Sequence, residues 1–97
     1  MPTYIALMKL TEQGIKDIKT FPQRLEAAKK GMAAVGGKMV AFYSVLGEYD
    51  YVAVTEFPSD EVGMGFLLTL GGLGNVRTTT LKAFTEKEFI GIVKKLP

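Results

Sequence analysis

Residues 38–57 read KMVAFYSVLGEYDYVAVTEF, and the architecture turns on this stretch. Two runs rich in aromatic and β-branched residues, 38–46 and 49–57, flank Gly47-Glu48. Such runs favour strands. A connection this short leaves only an antiparallel hairpin, because parallel neighbours need a long crossover. Working outward, TYIALMKL (3–10) and NVRTTTLKAF (75–84) read as two further strands.

Helical segments fill the two gaps. Thr11 is an N-cap with Glu12 behind it, and Ile15 and Ile18 follow three apart. Pro22 interrupts the run, so 12–35 is one kinked helix or two end to end. Leu25, Ala28, Met32 and Val35 form its apolar face, Arg24, Lys29 and Lys30 point away, and Gly36-Gly37 stops it. Ser59 caps a second helix with Asp60 and Glu61 in its first turn, Val62, Phe66 and Leu70 on one face, and Gly71-Gly72 as its stop. Thr85 and Glu88 match a capping box ahead of a short amphipathic helix bearing Phe89, Ile92, Val93 and Leu96.

The order is βα-ββ-αβ plus a terminal helix. It predicts an α+β, ferredoxin-like βαββαβ sandwich: a four-stranded antiparallel sheet with two helices on one face. With 97 residues, 47% of them apolar, one domain spanning 1–97 is expected.

Composition excludes much chemistry. The chain has no Cys, His or Trp, so disulfides, thiolate nucleophiles, Ser-His-Asp triads and imidazole metal ligands are all unavailable. No metal or other cofactor is expected, and a haem would find neither His nor Cys as axial ligand. The net charge is +2 with scattered lysines, which argues against nucleic acid as a partner. The uncharged run from Val62 to Val76 falls short of the ~20 residues that span a bilayer, and MPTYIALMKL is no signal peptide. A soluble cytoplasmic protein without membrane contact is expected.

Two helices cover one sheet face, yet neither alternating set of strand residues is polar. Tyr4, Ala6 and Met8 oppose Ile5 and Leu7; Met39, Ala41, Tyr43 and Val45 oppose Val40, Phe42 and Leu46; Tyr51, Ala53 and Phe57 oppose Val52 and Val54. A bare apolar face of this size is rare in monomers. A second copy packed across a two-fold axis is the favoured cover, giving a homodimer or higher homo-oligomer. The alternative is a C-terminal helix folded back over that face.

LGEYDYVAVTEFPSDE (46–61) and GNVRTTTLKAFTEKE (74–88), with TEQGIKDIK (11–19), Arg24 and Gly36-Gly37, resemble the GYD domain family over nearly the whole chain. Glu48 separates Gly47 from Tyr49 and so departs from the plain tripeptide. The resemblance implies a ferredoxin-like fold of the dimeric α+β barrel type. That superfamily holds small monooxygenases, isomerases, haem-decomposing enzymes and binding modules, so the fold selects no single activity.

Five residues are candidates for a small-ligand site. Tyr49 and Asp50 can orient a ligand or move a proton, or Asp50 can cap turn N–H groups while Tyr49 packs on the sheet edge, which is preferred. Arg77, among Thr78, Thr79 and Thr80, can hold an anion or pair with Glu56 or Asp50. Glu56 can act as a base if buried, although a solvated or paired strand end suits it better. Tyr43, with Phe42 and Tyr51, can line an aromatic pocket, but core packing explains aromatics on strands without further assumption and is preferred. Arg24 is read as a solvated helix residue, or as one ion-paired to a turn acid. GGLGN (71–75) precedes a strand, not a helix, and is read as a helix stop rather than a phosphate loop. The favoured function is a homo-oligomeric binding or accessory module for a small ligand, held between helices and sheet near Tyr49, Asp50 and Arg77. The alternative is a cofactor-independent enzyme of the small monooxygenase or isomerase kind.

Overall fold

A computed structural model describes residues 1–97. The strands are β1 (Thr3–Leu10), β2 (Lys38–Ser44), β3 (Tyr51–Glu56) and β4 (Val76–Ala83). The helices are α1 (Glu12–Lys16), α2 (Phe21–Ala34), α3 (Asp60–Gly72) and α4 (Glu86–Lys94), with a 3-10 turn at Ile18–Thr20. The sheet order is β2-β3-β1-β4, with every neighbouring pair antiparallel. This is the expected α+β sandwich with a C-terminal helix. The kinked segment 12–35 resolves into α1, the turn and α2, with Pro22 in the first turn of α2.

Each predicted N-cap forms. Thr11, Ser59 and Thr85 accept from the backbone N–H of Gly14, Val62 and Glu88. The Thr85 box closes when Glu88 accepts from the Thr85 N–H at 2.8 Å. Helix α2 ends with Gly37 N–H on Met32 O at 2.8 Å and Gly36 N–H on Ala33 O at 3.0 Å. Gly36 takes φ 81° to allow it, the left-handed stop that a Cβ opposes.

The inner sheet face buries Tyr4, Ala6 and Met8 of β1 and Tyr51, Ala53 and Thr55 of β3 against α2 and α3. Strand β2 departs from simple alternation. Pairing passes from Met39–Thr55 to Ala41–Val54, leaving Val40 as an extra, bulged residue. Met39 and Phe42 therefore both face the helices, and the expected grouping of Met39 with Ala41 and Tyr43 is corrected. Strand β3 starts at Tyr51 rather than Tyr49. The chain first crosses a loop in which Asp50 N–H bonds Met8 O at 2.8 Å and Val45 N–H bonds Asp50 O at 2.9 Å.

Tyr4 and Asp60 fasten α3 to the sheet. The Tyr4 hydroxyl donates to Asp60 Oδ1, while Lys82 Nζ lies 3.1 Å from Asp60 Oδ2. Burial first, and then the bond to Asp60, push the Tyr4 phenol up to about 12. The same hydrogen bond, with that from Lys82, holds the Asp60 carboxyl below its usual value. Because the folded-state phenol is raised above its ordinary value of 10.0, its contribution is complete below pH 10 and is lost as pH rises towards 12. Urea titrations should thus show stability falling over that window, and Tyr4→Phe should flatten the fall.

Helix α1 docks against the segment before β4 so closely that a Cβ at Gly14 would lie 2.2 Å from the Asn75 carbonyl oxygen. That oxygen also accepts the Thr11 N–H at 3.0 Å. Backbone cannot yield as a flexible side chain does. Gly14→Ala should therefore cost about 2–3 kcal/mol, read as a lowered urea midpoint at unchanged slope.

Candidate functional site

The outer face of the sheet is apolar and uncovered. Strand register lines up Ala41, Val54, Ile5 and Leu81 in one row and Tyr43, Val52, Leu7 and Thr79 in the next. Both helices that pack on the sheet lie on the opposite side. At the two sides of this face Tyr43 is 62% and Leu81 49% exposed. Helix α4 does not fold over it. This helix makes no substantial contact with any other element, and Phe89, Ile92, Val93 and Leu96 of its apolar stripe are exposed. The Cα radius of gyration is accordingly 14.7 Å, against about 13 Å for a compact chain of this length. The fold-back alternative is overturned: the face and the stripe are both left bare.

The five candidate ligand residues do not converge. Asp50 Oδ2 accepts the Leu10 N–H at 2.8 Å, tying the hairpin loop to the end of β1. Tyr49 lies beside Lys9, whose Nζ is 5.4 Å from the ring centre and 3.6 Å from Glu48. Arg77 is exposed, and its Nη1 donates to Gly71 O at 3.3 Å and Val76 O at 3.4 Å. Glu56 ends β3 opposite Lys38 and Thr3, and Tyr43 stands on the outer face. No group of three or more Asp or Glu side chains comes together as a metal site.

A cavity of about 270 Å³ does lie between helices and sheet, but none of those five residues lines it. Its origin is a row of small residues. Phe42, Ala53, Ala6 and Thr80 stand side by side across the inner face, so two alanines form the centre of the floor. Above them α2 contributes Ala27, Ala28 and Gly31. The buried side chains consequently form two clusters, one around Tyr51, Met8 and Val76 and the other around Tyr4, Met32 and Phe57.

Two polar groups enter this apolar space. Arg24 Nη1 and Thr80 Oγ1 are buried without a hydrogen-bonding partner. The Arg24 charge acts on the Tyr51 phenol, opposing the rise in its pKa that burial causes, while Asp50 adds to that rise. The reading of Arg24 as a solvated or ion-paired residue is therefore corrected in part: the residue is half-buried, one guanidinium nitrogen lies buried in the cavity wall, and no ion pair forms. Its position carries the signal: Arg24, Ala28 and Met32 recur at four-residue steps and share one helical face. Helical phase, not charge, decides where an arginine at the head of an apolar stripe points.

The sequence pattern of the GYD domain matches residues 4–93. The chain belongs to the GYD domain family. Its Gly47, Tyr49 and Asp50 form the hairpin loop, and there the aspartate of the motif holds a backbone N–H of β1. A curated relative from Thermus thermophilus, named glutamine synthetase and cystathionine beta-lyase binding protein, is 34% identical over 95 residues, covering 97% of this chain and all of that protein. The crystal structure of TTHA0845, also from Thermus thermophilus, is similar with a TM-score of 0.51 and 29% identity, covering 87% of this chain and 94% of that one. The α+β architecture is thus shared with a solved structure of matching length.

Removing the Asp50 carboxylate leaves the Leu10 N–H without its charged acceptor. Asp50→Ala should destabilise the GYD fold by about 2 kcal/mol in chemical denaturation, whereas Arg77→Ala, exposed and bonded only to carbonyls of its own neighbourhood, should cost well under half of that.

Proposed function

We propose that this GYD protein is an accessory binding module that self-associates through its open sheet face and docks on larger proteins. The observation that carries the reading is the bare apolar outer face together with an α4 stripe that finds no cover in its own chain. Two rows of aliphatic and aromatic residues, flanked by Lys9, Arg77 and Glu56, have the composition of an interface core with a charged rim. A second copy is the simplest occupant because one two-fold axis covers both sheets at once. Helix α4, leaving directly after β4 at the sheet edge, is then free to lay its stripe on the partner copy.

The relative's name supports the accessory part of the reading, since that protein is named for binding glutamine synthetase and cystathionine beta-lyase. On this view protein partners, not a substrate turned over at Asp50 and Arg77, are what the surface serves. The loop geometry agrees, with Asp50 committed to Leu10 and Arg77 to backbone carbonyls.

Sedimentation equilibrium should return a particle of at least twice 10.6 kDa. Tyr43→Lys, at a site exposed in the single chain, should leave the fold intact and weaken self-association at least about tenfold. A 10.6 kDa species at micromolar concentration refutes the self-association. Absence of co-sedimentation with purified glutamine synthetase and cystathionine β-lyase of the same source refutes docking on those enzymes.

A further inference from the structure

The inner cavity lies on the other side of the sheet from the proposed interface, so what it does is independent of that reading. Its walls are almost wholly apolar, with Ala6, Ala53 and Ala28 leaving space that larger side chains would fill. At about 270 Å³ it sits just below the usual range of small-molecule pockets. An apolar void has no need of a cation. Yet α2 sends Arg24 into it, one guanidinium nitrogen fully buried and bonded to nothing, and no carboxylate of this chain answers it.

An unpaired buried charge is costly, and arginine cannot escape the cost by losing its proton. The nearest acid in sequence, Glu26, is two residues away on the helix, where side chains do not face each other, and it pairs with Lys29 at 3.9 Å. Asp50 is occupied by Leu10. Tyr51, the polar neighbour on the floor, is neutral, with its phenol pushed further from ionisation by burial. Arg24 is half-buried as a residue, so water reaches part of its guanidinium, but the buried nitrogen finds no acceptor in this chain and is open to one from outside it. Across the floor, Thr80 holds a second unpartnered oxygen. Thr80 is on β4 and Tyr51 on β3 with β1 between them, so about 10 Å of apolar floor separates the two polar ends at the usual strand spacing.

We propose that this cavity binds a small amphipathic carboxylate, its head on Arg24 and its hydrocarbon body over Ala6 and Ala53. A guanidinium in a low-dielectric wall pairs with a carboxylate through charge-assisted hydrogen bonds. The alanine floor then removes the hydrocarbon body from water. Thr80 offers its hydroxyl to a polar group at the far end of a ligand that carries one.

Octanoate and the uncharged 1-octanol are the probes, titrated into the native protein and followed by backbone amide chemical shifts and calorimetry. Octanoate should bind saturably, at least tenfold tighter than 1-octanol, with the largest shifts at Ala6, Ala28 and Ala53. Arg24→Gln should fold, should melt no lower than the unliganded native protein, and should lose at least tenfold in octanoate affinity while 1-octanol is unchanged. Equal binding of the two probes, or no binding of octanoate, overturns the proposal. So do shifts confined to the outer face or α4, and so does an Arg24→Gln variant that melts well below the native protein, because the guanidinium would then belong to the fold.

Discussion

A four-stranded sheet has two faces, and this chain owns helices for only one of them. Everything distinctive about the molecule follows from that shortage. The helices α2 and α3 sit over the inner face, where they bury Tyr4, Met8, Tyr51 and Phe57. The outer face keeps the aliphatic character of a core, with Ile5 and Leu7 in register with Val54 and Val52 across the two central strands. A chain this small has no further element to spare, since α4 makes no substantial contact with the sheet. Burial that is missing within one copy is therefore available only between copies or between proteins.

The inner face is itself incompletely filled. Alanines in the central strands and small residues on α2 leave space between helices and floor, and the core divides into two aromatic-containing clusters. At one end Phe21, Phe42 and Tyr51 pack with ring centres 5.0 to 5.6 Å apart, and at the other Phe57 lies 5.9 Å from Tyr4 and 5.4 Å from Phe66. Rings at the ends and methyl groups in the middle make a roofed slot. The same residue choice explains both the packing and the space.

Local grammar in the sequence carried most of the fold. Thr11, Ser59 and Thr85 announce helix starts through hydrogen bonds spanning three residues, and such short-range chemistry is readable without tertiary context. Alternation along β1 and β3 was equally legible, because nothing interrupts their pleat. Strand β2 was not, since the bulge at Val40 flips the phase midway and is fixed by pairing with β3. The site was less legible still. Tyr49, Asp50 and Arg77 are close in kind to catalytic groups, but Asp50 and Arg77 bond backbone atoms and Tyr49 lies under Lys9, neighbours that the folded chain brings near. Arg24 was hidden by its charge, although its helical phase with Ala28 and Met32 placed it inward.

Helix α4 has a consequence for how the molecule is completed. Nine residues with a capping box at one end cannot hold helical geometry strongly in water, because nucleation costs more than so few bonds return. Without packing from its own chain, the order of this segment must be lent by whatever settles on Phe89, Ile92 and Val93. Under the proposed self-association, winding of the arm and capture of its partner are a single thermodynamic event, and dilution would unwind it before disturbing any strand.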